Sequence, residues 1–207
     1  NDDDDDDDGA ARNDTAAAAA TSSSAAIAPD CSGLDSSDLG RRLHECFDTT
    51  RLSSLAWVAD AVSVVGSCHQ MGLRTCIITN GHSEVQHPKI EAIKARELIP
   101  EIIVGGDEVK AGRMEKPDPG IFLAACKLLE VEPSEVIHVG DSFSSDVKGA
   151  FAAGLLGAVW VNASASNRPR GSVLEGSTKL WEIRRLSELL GIISEVQSEN
   201  STQQGNL

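Results

Sequence analysis

Carboxylate, hydroxyl and ammonium side chains recur in this chain at points where apolar segments end. Asp141 and Asp146 follow an apolar segment that ends at Val139, Thr79 closes another, and Lys116 lies in a proline-rich loop. Mg²⁺ binds roughly six oxygens, usually including one or two carboxylates beside waters and phosphate oxygens. A strand-end hydroxyl can donate to a phosphoryl oxygen, and an ammonium can offset phosphate charge. These residue types together favour Mg²⁺-dependent phosphoryl chemistry.

Each of these residues also has an ordinary structural explanation. Asp146 could cap the following helix while Asp141 accepts backbone hydrogen bonds in the turn. Threonine is common at strand ends, so Thr79 could be structural, and Lys116 could be a surface lysine. The chemical interpretation is favoured because three separate segments each place such a residue at a predicted strand end or loop, on the same edge of one sheet.

The segments that carry these residues predict an α/β fold with a doubly wound parallel sheet. Short apolar runs rich in β-branched residues predict buried strands at 75–79, 101–104, 136–139 and 157–161. Helices are predicted at 55–71, 83–98, 118–129, 145–153 and 180–196. Strands that alternate with helices favour right-handed crossovers and a parallel sheet. Ligands bind such sheets beyond the carboxyl ends of the strands.

The first predicted helix carries an apolar residue at every third or fourth position. The predicted buried face consists of Leu55, Val58, Val62, Val65, Cys68 and Met71. This spacing is typical of an amphipathic helix that packs on a sheet.

Composition divides the 207 residues into three parts. Residues 1–45 contain an aspartate run, an alanine run and a serine run, so we expect a low-complexity disordered tail. Residues 46–197 form the predicted domain, and residues 198–207 form a polar tail. The 41% hydrophobic content is sufficient for one core.

The net charge of −14 indicates which partners to expect. An acidic chain repels nucleic acid and anionic lipid, so neither is an expected partner. No stretch approaches the roughly 20 apolar residues of a membrane span. The five cysteines are scattered without a C-x-x-C pair, which favours reduced thiols and a cytoplasmic location. A phosphorylated substrate would need a local positive site rather than a broad basic surface, and the sequence does not indicate an oligomeric state.

Three segments, in order, resemble motifs of the haloacid dehalogenase-like (HAD) hydrolase superfamily. Ile77 to Gly81, Glu115 to Phe122 and Val139 to Asp146 are similar to three of the four phosphate-site motifs of that superfamily. The resemblance extends over about residues 55–196. Within the superfamily, the chain looks most like the N-acylneuraminate 9-phosphate phosphatase branch, through residues 79–81, 104–106 and 160–162.

The resemblance implies a role for each residue. It implies that Thr79, with Asn80 beside it, binds the transferring phosphoryl group, and that Lys116 stabilises the charge around an acyl-phosphate. It implies that Asp141 and Asp146 hold Mg²⁺. The implied activity is Mg²⁺-dependent hydrolysis of a phosphomonoester, a small sugar phosphate or related metabolite. The implied intermediate is an aspartyl-phosphate.

The family's nucleophile motif, D-x-D-x-T at the end of the first strand, has no convincing match here. Asp6 to Ala10 matches loosely without a preceding strand, and Asp48 to Thr50 follows too little strand. In the family this strand lies between those that carry Thr79 and Asp141. Its loss leaves two edges of unpaired backbone groups, each costing on the order of 1 to 3 kcal/mol. We therefore expect the first strand and most of the helical cap to be absent from this chain, and the sequence to be incomplete or processed, since it begins with Asn1.

Two other interpretations remain open. One is a catalytically inactive HAD-like binding or regulatory module, in which the low-complexity N-terminus replaces the nucleophile strand. The other is a Mg²⁺-binding receiver-like module, which fits a parallel sheet but explains the loop from Lys116 to Pro119 less well.

Overall fold

The computed structural model describes residues 35–164, 172–173 and 178–204. Residues 1–34 of the predicted tail lie outside this range. Contacts divide the chain into two units, Asn1–Leu43 and His44–Leu207. The described part of the first unit is the start of a helix, and every strand of the described residues belongs to the second unit.

Helices and strands alternate along the described residues. The α-helices are α1 (Ser36–Ser53), α2 (Ala61–Gln70), α3 (Ser83–Ala92), α4 (Ala95–Leu98), α5 (Gly105–Lys110), α6 (Pro119–Leu129), α7 (Lys148–Ala152) and α8 (Leu189–Gln204). The strands are β1 (Cys76–Thr79), β2 (Glu101–Val104), β3 (Ile137–Gly140), β4 (Gly157–Val161), β5 (Ser172–Val173) and β6 (Lys179–Ile183). A π-helical turn, Phe143–Val147, leads into α7. None of the described helices combines the length and the apolar character that a membrane span requires.

The strands form two sheets that are mainly parallel. β1 pairs in parallel with β2, and the second sheet has the order β3-β4-β6-β5. Within it, β3, β4 and β6 are parallel, and β5 runs antiparallel at one edge. The α/β class is confirmed, and the strands predicted at 75–79, 101–104, 136–139 and 157–161 are confirmed to within one residue at either end.

Helices cover both faces of the larger sheet. Successive residues of β4 point to opposite faces: Ala158 joins the core beneath α6 and α7, and Val159 joins the core beneath α2 and α8. In β6, Leu180 likewise joins the core beneath α6 and α7, and Trp181 joins the core beneath α2 and α8. Burial on both faces explains why β4 is continuously apolar rather than alternating.

β1 and β3 lie in different sheets, and no ladder joins them within the described residues. This break falls at the position where the resemblance predicts a missing strand. Helix α6 packs against both sheets, because its Phe122 belongs to a core cluster that includes Ile78 of β1, Ile103 of β2 and Ala158 of β4.

The predicted buried face of the first helix is largely wrong. Helix α2 begins at Ala61 rather than at residue 55, so Val58 precedes it and is 69% exposed. Within the helix, Ala61, Val64 and Cys68 are buried, of which only Cys68 belongs to the predicted face, whereas Val62 is 53% exposed. Apolar residues lie on more than one side of this helix, so two different rows of apolar residues show the three- and four-residue spacing. Packing against the α8 core selects the stripe that contains Val64 and Cys68.

The predicted helix at 180–196 is only partly correct. Lys179–Ile183 forms strand β6, and α8 begins at Leu189 and extends to Gln204, into the predicted polar tail. A strand buried on both faces lacks a period of two, and its short apolar run resembles a buried helix segment.

Two further boundaries differ from the prediction. The predicted helix at 83–98 is divided into α3 and α4, because Lys94 takes a left-handed conformation with φ of 50°. Helix α1 spans the predicted boundary between residues 45 and 46. The tail predicted at residues 1–45 therefore includes residues that are helical in α1, from Ser36 onward.

Two glycines provide a matched test of core packing. A Cβ on Gly157 of β4 would lie 2.2 Å from the Trp181 ring, whereas a Cβ on Gly66 of α2 meets no atom within 4 Å. We expect Gly157→Ala to lower the free energy of unfolding by about 1 to 3 kcal/mol through overpacking. Gly66→Ala should raise it by about 0.5 to 1 kcal/mol, because alanine favours a helix interior. Urea unfolding measures both, and equal midpoints for the two variants would contradict this account of the β4–β6 packing.

Candidate active site

The ammonium of Lys116 lies where the carboxyl ends of β1 and β3 meet. Its Nζ is 2.9 Å from the carbonyl oxygen of Ile78, next to the last residue of β1. It is 2.7 Å from Oδ1 of Asp146, whose carboxyl group packs against Gly140 at the end of β3. The Lys116 and Asp146 side chains are only 12% and 5% exposed. A buried ion pair therefore links the two sheets where their ladder is interrupted.

Gly140 makes room for the Asp146 carboxylate. A Cβ at position 140 would lie 2.2 Å from Cγ of Asp146, closer than any real contact. The absence of a side chain lets the carboxylate lie directly against the strand. His138 lies two residues earlier on β3, and side chains two apart share a face. Its Nε2 is accordingly 2.9 Å from Asp146 Oδ1.

Both oxygens of Asp146 have partners within the protein. Oδ1 is bonded to Lys116 and His138, and Oδ2 accepts a hydrogen bond of 2.9 Å from the Ser142 N–H. Burial alone would raise the pKa of the Asp146 carboxyl. The hydrogen bonds from His138 and Lys116 and the charge of the ammonium outweigh burial, so the pKa is held well below its usual range. Asp146 is therefore an anionic acceptor inside the protein.

Asn80 holds the backbone of Lys116. Its Nδ2 donates to the Lys116 carbonyl at 2.7 Å, and its Oδ1 accepts from the Lys116 N–H at 3.0 Å. Glu115 makes a similar link, because its Oε2 accepts from the Gly81 N–H at 2.9 Å. The loop after β1 and the loop that carries Lys116 are thus joined by three hydrogen bonds.

Asp141 is the exposed member of the predicted site residues, and Thr79 is partly buried at the end of the other strand. The Thr79 hydroxyl makes one long contact of 3.4 Å, to the Asn80 carbonyl oxygen. Asp141 is exposed, and its carbonyl oxygen accepts from Trp160 Nε1 at 2.9 Å. Both residues lie at strand ends, so they can contact a ligand bound at this edge of the sheets.

The donor set fits a divalent cation in part. Asp141 supplies one exposed carboxylate directly after β3, and Mg²⁺ commonly takes one or two carboxylates with waters. Within residues 35–164 and 178–199, no group of three or more acidic, histidine or cysteine side chains is placed to hold a metal. Asp146 is buried and already bonded through both oxygens. Asp141 fits the cation as a ligand, and the prediction that Asp146 is a second ligand stays a prediction.

The structure therefore brings together the predicted residues Thr79, Asn80, Lys116 and Asp146 through direct contacts or neighbouring positions, with Asp141 on the adjoining loop. Their chemical roles stay predictions.

Sequence analysis missed three residues that hold this arrangement: His138, Ser142 and Glu115. The sequence does contain a signal for His138, a polar residue in an apolar strand two positions before a glycine. It contains no comparable signal for Glu115, whose partner lies 34 residues earlier.

Comparison with known proteins finds a matching family model and similar sequences. The family model for haloacid dehalogenase-like hydrolases matches residues 29–154, more than half of the chain. The N-acylneuraminate-9-phosphatase of Mus musculus is 33% identical over 139 residues, which are 67% of this chain and 54% of that protein. The chain spans about half the length of the curated relatives it matches.

Solved structures share the fold. A HAD phosphatase from Thermococcus onnurineus superposes with a TM-score of 0.53 at 30% identity, over 65% of this chain and 57% of that one. A HAD-family hydrolase from Bacillus subtilis, described as bound to magnesium, has a TM-score of 0.51 at 25% identity, over 65% of this chain and 55% of that one.

The Asp146 ion pair should make stability depend on pH. Because the folded pKa of Asp146 is depressed, its contribution is fully present above the usual carboxyl pKa and is lost as pH falls towards the folded value. Asp146→Asn should cost about 2 to 4 kcal/mol at neutral pH, since it leaves Lys116 buried without its counter-charge. Urea unfolding at neutral pH and at about pH 2 to 3 should show this difference shrink in acid.

Asp141→Asn is the matched control for this experiment. Asp141 is exposed on the same loop, so its replacement should change the free energy of unfolding by less than about 0.5 kcal/mol at either pH. A loss for Asp146→Asn that stayed constant down to pH 2 would show that the stabilisation does not come from the ionised carboxylate.

Proposed function

We propose that this chain, which belongs to the haloacid dehalogenase-like hydrolase family, is the phosphoryl-binding part of a phosphomonoester hydrolase. The observation that carries the proposal is the Lys116 ammonium, fixed where the ends of β1 and β3 meet. A cation held there, in a poorly hydrated position, can stabilise the negative charge that develops on a transferring phosphoryl group.

The remaining residues of the edge would contribute as follows. The Thr79 hydroxyl, whose contact with the protein is long, would donate to a phosphoryl oxygen. Asn80 would fix the position of the Lys116 backbone relative to the end of β1 through its two hydrogen bonds. Asp141 would be the exposed carboxylate ligand of Mg²⁺, which when bound supplies further neutralisation of phosphate charge.

The proposed reaction also requires a nucleophile. The buried carboxylate of Asp146 is bonded through both oxygens and does not suit that role. We propose that the attacking aspartate is carried by a strand that lies between β1 and β3, which the described residues do not include. A carboxylate at the end of that strand would lie beside Lys116, which would balance its charge.

A small sugar phosphate is the proposed substrate class. Support comes from the similarity to a relative named N-acylneuraminate-9-phosphatase. The acidic net charge of −14 also favours a compact ligand bound at a local cationic point over an extended polyanion. We place the protein in the cytoplasm, which is supported by the free thiols of the described cysteines.

One observation favours a second candidate function, a catalytically inactive binding or regulatory module. Of the two described carboxylates after β3, Asp146 is bonded through both oxygens and Asp141 is the proposed Mg²⁺ ligand, so neither is assigned as a nucleophile and the edge could bind a phosphorylated ligand without cleaving it. The two candidates make the same prediction for ligand binding and opposite predictions for turnover.

Phosphate release separates them. The assay uses the complete product of the transcript that encodes this chain, with N-acylneuraminate 9-phosphate and a simple aryl phosphate as substrates. We expect Mg²⁺-dependent release of inorganic phosphate, abolished by a chelator and restored by added Mg²⁺. Lys116→Met and Asp141→Asn should each lower kcat/KM by about 100-fold or more.

Lys127→Met is the control, because Lys127 is exposed on α6, outside the proposed machinery. Its activity should equal that of the wild type. Binding of the substrate without any phosphate release would reject the hydrolase and support the binding module. Wild-type turnover in Lys116→Met would remove the proposed role of the ammonium.

A further inference from the structure

Asp146 is placed to act on Lys116 rather than on a ligand. Its carboxyl group is buried against Gly140, and hydrogen bonds from Lys116, His138 and the Ser142 N–H occupy both oxygens. A carboxylate offers about four acceptor positions in all. Three are in use, so the orientation of the carboxylate is determined by its protein partners.

The hydrogen bond between His138 and Asp146 has only one possible direction. Asp146 Oδ1 forms an ion pair with the Lys116 ammonium and Oδ2 accepts from the Ser142 N–H, so the group is a carboxylate and can only accept. His138 must therefore carry a proton on Nε2 and donate it. This fixes the side of the imidazole that is protonated, which the distance alone leaves open.

The His138 ring is also held in place by a contact with Phe122. It packs edge-to-face against Phe122 of α6, with ring centroids 4.9 Å apart and an angle of 84°. Phe122 is itself 1% exposed in the core. The donor to Asp146 is consequently part of the rigid contact between β3 and α6, and not a mobile surface group.

The position of Asp146 decides the direction of the Lys116 ammonium. That group has three N–H donors in a tetrahedral arrangement. Among the described residues, one donor is directed at the Ile78 carbonyl oxygen and one at Asp146 Oδ1. With two directions fixed, the third N–H has a fixed direction as well. A rotation of the Asp146 carboxylate would release this constraint.

We propose that His138 is a positioning residue: by donating from Nε2 to Asp146 Oδ1, it holds the carboxylate in the orientation that directs the Lys116 ammonium. The inference rests on the proposed phosphoryl-transfer function, in which Lys116 is the group that meets the substrate. It also separates the two predicted metal ligands: the exposed Asp141 would bind the cation, whereas the buried Asp146 orients Lys116.

The test compares variants that differ in the donor. His138→Gln keeps an N–H of similar reach, whereas His138→Phe keeps the ring beside Phe122 and removes the donor. His138→Leu is a second donor-free variant, in case the phenyl ring is not accommodated. Thermal unfolding establishes that each variant is folded.

The first measurement is the ¹⁵N-edited NMR signal of the Lys116 ammonium in the full chain, assigned by its loss in Lys116→Met. We expect the signal in wild type and His138→Gln at similar shifts, and a shifted or broadened signal in the folded donor-free variants. In an Asp146→Asn background, His138→Phe should cause no further change, because the connection to Lys116 is already broken. An unchanged ammonium signal in folded His138→Phe would overturn the proposal.

The second measurement is the division between kcat and KM in the complete enzyme. His138→Phe should lower kcat about 10-fold or more with KM changed less than about 3-fold, and His138→Gln should recover most of the loss. A His138→Gln variant that loses as much kcat as His138→Phe while folded would also reject the role of the donor. If the wild type releases no phosphate, the proposed function fails, and the ammonium signal still decides the positioning role of His138.

Discussion

An ammonium group enclosed between two sheets has to be neutralised where it lies, and Asp146 does this for Lys116. Neither charge of a buried pair is stable without the other, because each has lost most of its hydration. The pair therefore determines other features of the molecule: the glycine at 140 that admits the carboxylate, the histidine at 138 that shares it, and the turn in which Ser142 donates to it. The chemistry proposed for this edge of the sheets therefore depends on this one contact.

Lys116 is held at its backbone as well as at its ammonium. Asn80 accepts from the Lys116 N–H and donates to its carbonyl oxygen, and Asp146 receives the end of the side chain. A lysine free in solution loses about 2 kcal/mol of side-chain entropy when it is ordered. Here the fold orders the side chain before any ligand arrives. A preorganised charge is more effective in catalysis than one that must reorient.

The parts predicted from sequence were those that depend on local pattern. Four strands were recognisable as short β-branched apolar runs, and Thr79, Lys116 and Asp141 could be placed at one edge because the carboxyl ends of parallel strands converge. The buried face of α2 was not recognisable because apolar residues occupy more than one side of that helix. The strand nature of β6 was not recognisable because burial on both faces removes the period of two on which strand prediction depends. Nor were the bonds to Asp146, since its partner Lys116 lies 30 residues away and only the fold brings them together.

The break between β1 and β3 connects stability with function. A two-stranded sheet is marginal by itself, so β1 and β2 depend on α6 and on the Lys116 ion pair for their attachment to the larger sheet. Thr79 and Asn80 lie at the end of β1, on this more weakly supported element. A strand between β1 and β3 would satisfy the backbone groups of both edges and fix the distance between Thr79 and Asp141. The same strand would bring its final side chains next to Lys116. The element that would complete the sheet is thus also the element that would complete the site.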